Sequence, residues 1–156
     1  MLDRVDFPLT TSQISEFILD KGYTTYFRLQ SALAELTDSG LLKIELTHNR
    51  TLYNLTEEGA ATINYFRNKI SPEIRQEIDN FINEKKYDLK EEVSVKSDYY
   101  LNTNHEYEVK CQILENGSHL IDMTLTVPTQ TEAEAIVNNW NRKNQEIYAL
   151  LLSQLL

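Results

Sequence analysis

Apolar positions at the start of the chain recur with helical spacing and then switch to alternation. Ile14, Phe17 and Ile18 fall at i, i+3 and i+4, one face of a helix over residues 12–19. Thr10 or Thr11 can cap it, and Gly22 suits the left-handed residue that ends it. Leu29, Leu33 and Leu36 mark a second helix from Thr24 or Thr25 to Asp38, with Tyr26 and Ala32 beside the stripe and Ser39-Gly40 as its stop. Two helices joined by about four residues have helix-turn-helix spacing. Residues 41–47 then alternate, with Leu42, Ile44 and Leu46 on one face and Lys43 and Glu45 on the other, which predicts a half-buried strand. A polar tip at residues 48–51 and a return strand at 52–55 complete a hairpin. Thr56 caps the next helix, with Glu57 and Glu58 in the first turn where the helix dipole favours acids.

Ser71 and Pro72 open a further helix, because a serine caps and a proline fits the first helical position. Ile74, Ile78, Phe81 and Ile82 form its apolar face, which fades near Lys85-Lys86-Tyr87. The pattern then turns to strands rich in Val, Tyr and Ile over residues 92–101 and 106–115. Asn116-Gly117 is a strong hairpin signal, and residues 119–127 form the return strand. A last helix runs from about Thr131 to the end, with a stripe of Ala133, Ile136, Val137, Trp140, Asn144, Ile147, Tyr148, Leu151 and Leu155. The expected class is α+β. Residues 1–70 form a helix-turn-helix with a hairpin, 71–90 a linker helix, and 91–156 a βββα domain with an antiparallel sheet.

Charge changes the functional picture more than the fold. The net charge is −9. Residues 1–70 carry seven Lys+Arg against nine Asp+Glu, or −2, while residues 71–156 carry eight against fifteen, or −7. Phosphate binding draws on Lys and Arg, so any grip on nucleic acid must come from a few clustered cations in the first half. No apolar run reaches the roughly 18 residues of a membrane span. Cys111 stands alone, and with no signal-peptide pattern at the start a cytoplasmic location is expected.

Catalytic chemistry finds little support. His48, His105, His119 and Cys111 lack metal-ligand spacing. The four glycines build no phosphate loop, and no serine or cysteine lies in a nucleophile motif. A non-enzyme without cofactor or metal is the expectation.

Two segments carry a resemblance. Leu33-Ala34-Glu35-Leu36-Thr37-Asp38-Ser39-Gly40-Leu41-Leu42 looks like a recognition helix entering its wing, and Tyr53-Asn54-Leu55-Thr56-Glu57-Glu58-Gly59 like the wing's end and the following helix. Together, over about residues 12–66, they are similar to winged helix-turn-helix transcription regulators of the PadR and MarR kind. The whole chain, from the opening Leu2-Asp3-Arg4-Val5-Asp6-Phe7-Pro8-Leu9-Thr10 to the strand-and-helix tail, resembles an uncharacterised bacterial family catalogued as a domain of unknown function. That resemblance implies a transcriptional regulator and brings no ligand, target or catalytic residue with it. A winged helix normally opens with a helix ahead of residues 12–19, and here only Met1 to Asp6 precede the Phe7-Pro8 turn. Either that helix is shortened, or another element covers its place. The leucine-rich end, Leu150-Leu151-Leu152 and Leu155-Leu156, could do so in the same chain or in a partner.

The resemblance makes residues 24–38 the recognition helix and 43–55 the wing. Arg28 is the best candidate for a guanine contact, since its fork matches two acceptors on one base. Thr24, Thr25, Gln30 and Ser31 could bond bases or phosphates, and Lys43, His48, Asn49 and Arg50 place the wing's polar groups near the duplex. Glu35 and Asp38, late in the helix, would repel the phosphate backbone. Such regulators bind two half-sites as symmetric dimers, so a homodimer is expected through the last helix: Trp140, Ile147, Tyr148, Leu151, Leu152 and Leu155. The alternatives are a winged helix that binds protein rather than double-stranded DNA, and a regulator whose C-terminal sheet senses an effector near Tyr99, Tyr100 and Tyr107.

Overall fold

A computed structural model describes residues 1–47, 50–115 and 118–156. The chain is mixed α and β, with two three-stranded antiparallel sheets. It divides into two compact units, Met1–Val93 and Ser94–Leu156.

The first unit opens with a 3-10 turn, Leu2–Arg4, and a two-residue strand β1, Leu9–Thr10. Helix α1, Thr11–Asp20, follows at once. Its start is a capping box: the Thr10 hydroxyl accepts from the Gln13 N–H while the Gln13 side chain accepts from the Thr10 N–H. Gly22, at φ 66°, turns the chain out of α1 in a conformation that side chains with a Cβ avoid. Helix α2, Tyr26–Asp38, then leads into β2, Leu42–Leu46, and β3, Thr51–Leu55. The sheet order is β1-β3-β2, with Leu9 opposite Tyr53 and Tyr53 opposite Ile44. Helix α3, Glu57–Phe66, is capped by Thr56, whose hydroxyl accepts from the Gly59 N–H. Helix α4, Pro72–Ser94, closes the unit. Its start has the expected serine cap, with Ser71 accepting from the Ile74 N–H at 3.3 Å.

Several expectations need correction. The strand Leu9–Thr10 was not foreseen. α4 does not fade at Lys85-Lys86-Tyr87; it continues to Ser94, and Ile82, Leu89 and Val93 are buried on one face. Along its length α4 packs on α1. Phe17 meets Phe81 at 5.0 Å between ring centroids, and the Gln13 side-chain amide donates to the Leu89 carbonyl at 3.0 Å and to Glu92 at 2.8 Å. Ion pairs Arg4–Asp79, Lys21–Glu77 and Lys85–Glu16 line the same contact. This element covers α1. The leucine-rich C-terminal end belongs to the other unit. On β2 only Leu42 is buried, while Ile44 and Leu46 on the same face are exposed.

In the second unit β4, Val95–Leu101, β5, Tyr107–Glu115, and β6, Ser118–Val127, form a meander, and α5, Gln130–Leu155, lies across one face. Thr129 and Glu132 make a second capping box at the start of α5. Val109, Cys111, Ala133, Val137 and Trp140 form a closed core. The expected Asn116-Gly117 turn lies outside the described residues.

Candidate nucleic-acid interface

The outer face of α2 begins just before the helix. Thr25 is its N-cap, but its hydroxyl makes no capping bond, and the side chain is exposed. Thr24 is half-buried. Phe27, Arg28 and Ser31 are exposed, with Ser31 one turn beyond the first two, and Gln30 lies at the edge, half-buried, with its amide nitrogen buried and unpartnered. From Lys21 to Ala34 the sequence holds no acid. The helix N-terminus adds a partial positive charge to this stretch. Glu35 and Asp38 occupy the other end of α2, and both are exposed. The inner face buries Leu29 and Leu33, whereas Leu36 is 39% exposed, so the expected stripe covers less than its full length.

The other cations near α2 take different places. Lys21 pairs with Glu77 at 3.2 Å. Arg50 turns towards α4, where its guanidinium donates to the Glu92 carbonyl at 2.6 Å. It lines a polar cleft of about 550 Å3 with Thr10, Thr11, Ser12, Thr47, Thr51 and Glu92. Lys43 is exposed on β2. His48 and Asn49, the expected wing tip, lie outside the described residues. Beneath α2 is an apolar cavity of about 380 Å3, lined by Ile14 and Ile18 of α1, Leu29, Leu33 and Leu36 of α2, and Ile63 and Phe66 of α3, among others. The periodicity gave no warning of it, because a cavity and a filled core use the same apolar residues.

The residues expected at a dimer interface fall into two groups. Trp140 is 1% exposed and donates its ring N–H to the Gln112 carbonyl at 3.4 Å. Its own core has taken it up, so it offers no surface to a partner. Ile147 and Tyr148 are half-buried. Leu151, Leu152 and Leu155 are exposed, as are Leu150 and Leu156. The tyrosine cluster also separates. Tyr99 and Tyr107 pack edge to face at 6.0 Å and belong to the α5 side of the sheet. Tyr100 bonds Glu108 on the other face.

Burial pushes the Cys111 thiol up to about 11, so it is not a ready nucleophile. Among the described residues, no group of three or more His, Cys, Asp or Glu side chains could hold a metal ion. No helix among them is long and apolar enough to cross a membrane.

The class these features define is an α+β protein of two sheet-and-helix units. The chain belongs to the family described as Domain of unknown function (DUF4364), which it matches over residues 1–155. No curated protein and no solved structure matches it.

Proposed function

We propose that the first unit is a winged helix-turn-helix domain and that the protein is a DNA-binding transcriptional regulator acting as a homodimer, similar to PadR and MarR types. The order β1-α1-α2-β2-β3, with a short connection from α1 to α2 and a hairpin after it, supports this reading. In it α2 is the recognition helix and β2–β3 the wing. The observation that carries the proposal is the exposed, acid-free N-terminal half of α2 with Arg28 on its outer face. That is the end of such a helix that meets base edges. The exposed leucines at the end of α5 are the dimer contact, since an apolar surface of this kind is a usual association site.

Binding of the purified protein to the duplex upstream of its own coding sequence, titrated across a salt series, tests the proposal. A slope of affinity with salt and a preference over unrelated duplex are expected. Arg28→Ala is expected to weaken specific binding by roughly 1–3 kcal/mol. Affinity that is equal for all duplexes and for the mutant would remove the reading. A monomer mass by light scattering at micromolar protein would remove the dimer.

A second reading, effector sensing, draws on the apolar cavity under α2. Its volume falls in the range of small-molecule sites, roughly 300–1,000 Å3. Sensing then belongs to the first unit, because Val109, Cys111 and Trp140 fill the space between sheet and helix in the second.

A further inference from the structure

Of the five phenylalanines, Phe27 is the most exposed, at 81%; Phe17 is buried, Phe7 and Phe81 are half-buried, and Phe66 is 42% exposed. Its place explains what the ring could meet. It lies in the first turn of α2, directly before Arg28, with Ser31 one turn further along the same face. Tyr26, itself 53% exposed, meets it edge-on at 5.9 Å between centroids. The surrounding stretch, Lys21 to Ala34, carries only positive charge. An apolar ring beside a guanidinium, on a helix end with positive potential, fits a surface that is anionic yet offers an apolar contact at fixed depth. The major groove of B-DNA is such a surface: the 5-methyl group of thymine is its apolar feature, and guanine offers two acceptors that match an arginine fork.

We infer that Phe27 and Arg28 act as a reading pair, with Phe27 packing on a thymine methyl and Arg28 bonding the guanine of a neighbouring base pair. The target half-site therefore contains thymine next to guanine. The inference rests on the DNA-binding reading above and gives that same site a sequence preference.

The test begins with selection from a random duplex pool by the purified full chain, followed by titration of the enriched duplex. Deoxyuridine in place of thymine removes only the methyl group. For the parent protein this is expected to weaken binding about three- to fivefold, the value of one buried methyl-sized group. Phe27→Ala should bind thymine and deoxyuridine duplexes equally while keeping the guanine preference. Arg28→Ala should lose the guanine preference and keep the methyl sensitivity. Phe27→Leu, which restores an apolar contact, should recover part of that sensitivity. Because Phe27 is exposed, its variants should fold like the parent, which circular dichroism checks. Duplex binding with no methyl sensitivity in the parent, or with the same sensitivity in Phe27→Ala, overturns the reading pair and leaves DNA binding standing. No salt-dependent binding to any duplex overturns both.

Discussion

The second unit buries Val109 and Cys111 completely beneath α5, against Ala133 and Trp140 of the helix itself. The first unit builds its core from a similar sheet and more helices, yet it leaves a 380 Å3 apolar cavity under α2 and keeps Phe27 and Tyr26 in solvent. The outer face of the second unit's sheet is also settled. Glu108 takes the Tyr100 hydroxyl, and Asp122 takes Gln112 at 2.9 Å and Lys110 at 3.7 Å. A closed core with a polar, mutually bonded face is the profile of a structural element. An open core under a helix with exposed aromatics is the profile of a surface that does something. Under the proposed function, recognition falls to the first unit, and the exposed leucines at the end of α5 serve as a contact surface on the second.

The largest expected effect tests the closed core. Trp140→Ala should cost about 3–5 kcal/mol, the range for removing a buried aromatic from a packed site. Urea unfolding followed by far-UV circular dichroism reads it without needing the tryptophan's own signal. Leu36→Ala, at the half-open wall of the cavity, should cost only roughly 1 kcal/mol, because part of its side chain is already in water. Equal losses from the two substitutions would break the contrast.

Gln13 tests how firmly α4 is held on α1. Its side chain is 2% exposed and serves the Thr10 N–H, the Leu89 carbonyl and Glu92 together. Gln13→Ala leaves buried backbone groups without partners, for a loss of roughly 2–3 kcal/mol. Native-state hydrogen exchange should show the loss at α1 and the second half of α4. Unchanged protection there would mean that α4 is held by other contacts.

Gly59 sets a smaller, local limit. A Cβ at this position would come 2.2 Å from the Leu41 carbonyl oxygen and 2.8 Å from Leu55 Cδ1. Gly59→Ala is therefore expected to cost about 1–3 kcal/mol by overpacking, although alanine is the better helix former. A thermal melt at or above the parent's would show that α3 can move away from the hairpin.

These residues also show what could be read before the structure. Thr10 or Thr11, and Thr56 ahead of two glutamates, marked helix starts because capping is local chemistry. Gly59 stood in the resemblance as a letter, and its reason, the approach of Leu41, is tertiary. The run 83–88 hid the rest of α4, since Leu89 and Val93 resume the face of Ile82 only after a full polar turn. β1 has two residues and no period to detect. Arg50 was read as a wing-tip cation because nothing local announces a bond to a carbonyl 42 residues away. Arg28 was legible because its exposure depends only on the phase of its own helix.

The smallest effect compares like with like, a tyrosine–glutamate bond from each unit. Tyr23 donates to Glu77 at 2.6 Å and joins the chain after α1 to α4, while Tyr100 donates to Glu108 between adjacent strands. The tyrosine hydroxyl, with Lys21 behind it, holds the Glu77 carboxyl below the ordinary 4.5, and Tyr100 with Asn102 does the same for Glu108. A depressed carboxyl stabilises the fold above its unfolded value, and that stability is lost as pH falls below 4.5 through the folded value. The tyrosines are raised above 10, so their share is present below pH 10 and lost as pH rises through their folded values. Both tyrosines are exposed and both glutamates only half-buried, which keeps the effect small. Glu77→Gln should flatten the acid limb of the melting profile more than Glu108→Gln. The first bond closes a long loop, so it restrains chain that the second leaves to its own ladder. Matching acid limbs in the parent and both variants would show that neither bond contributes to stability. A larger change from Glu108→Gln would reverse the comparison and make the second unit's sheet the more fragile half.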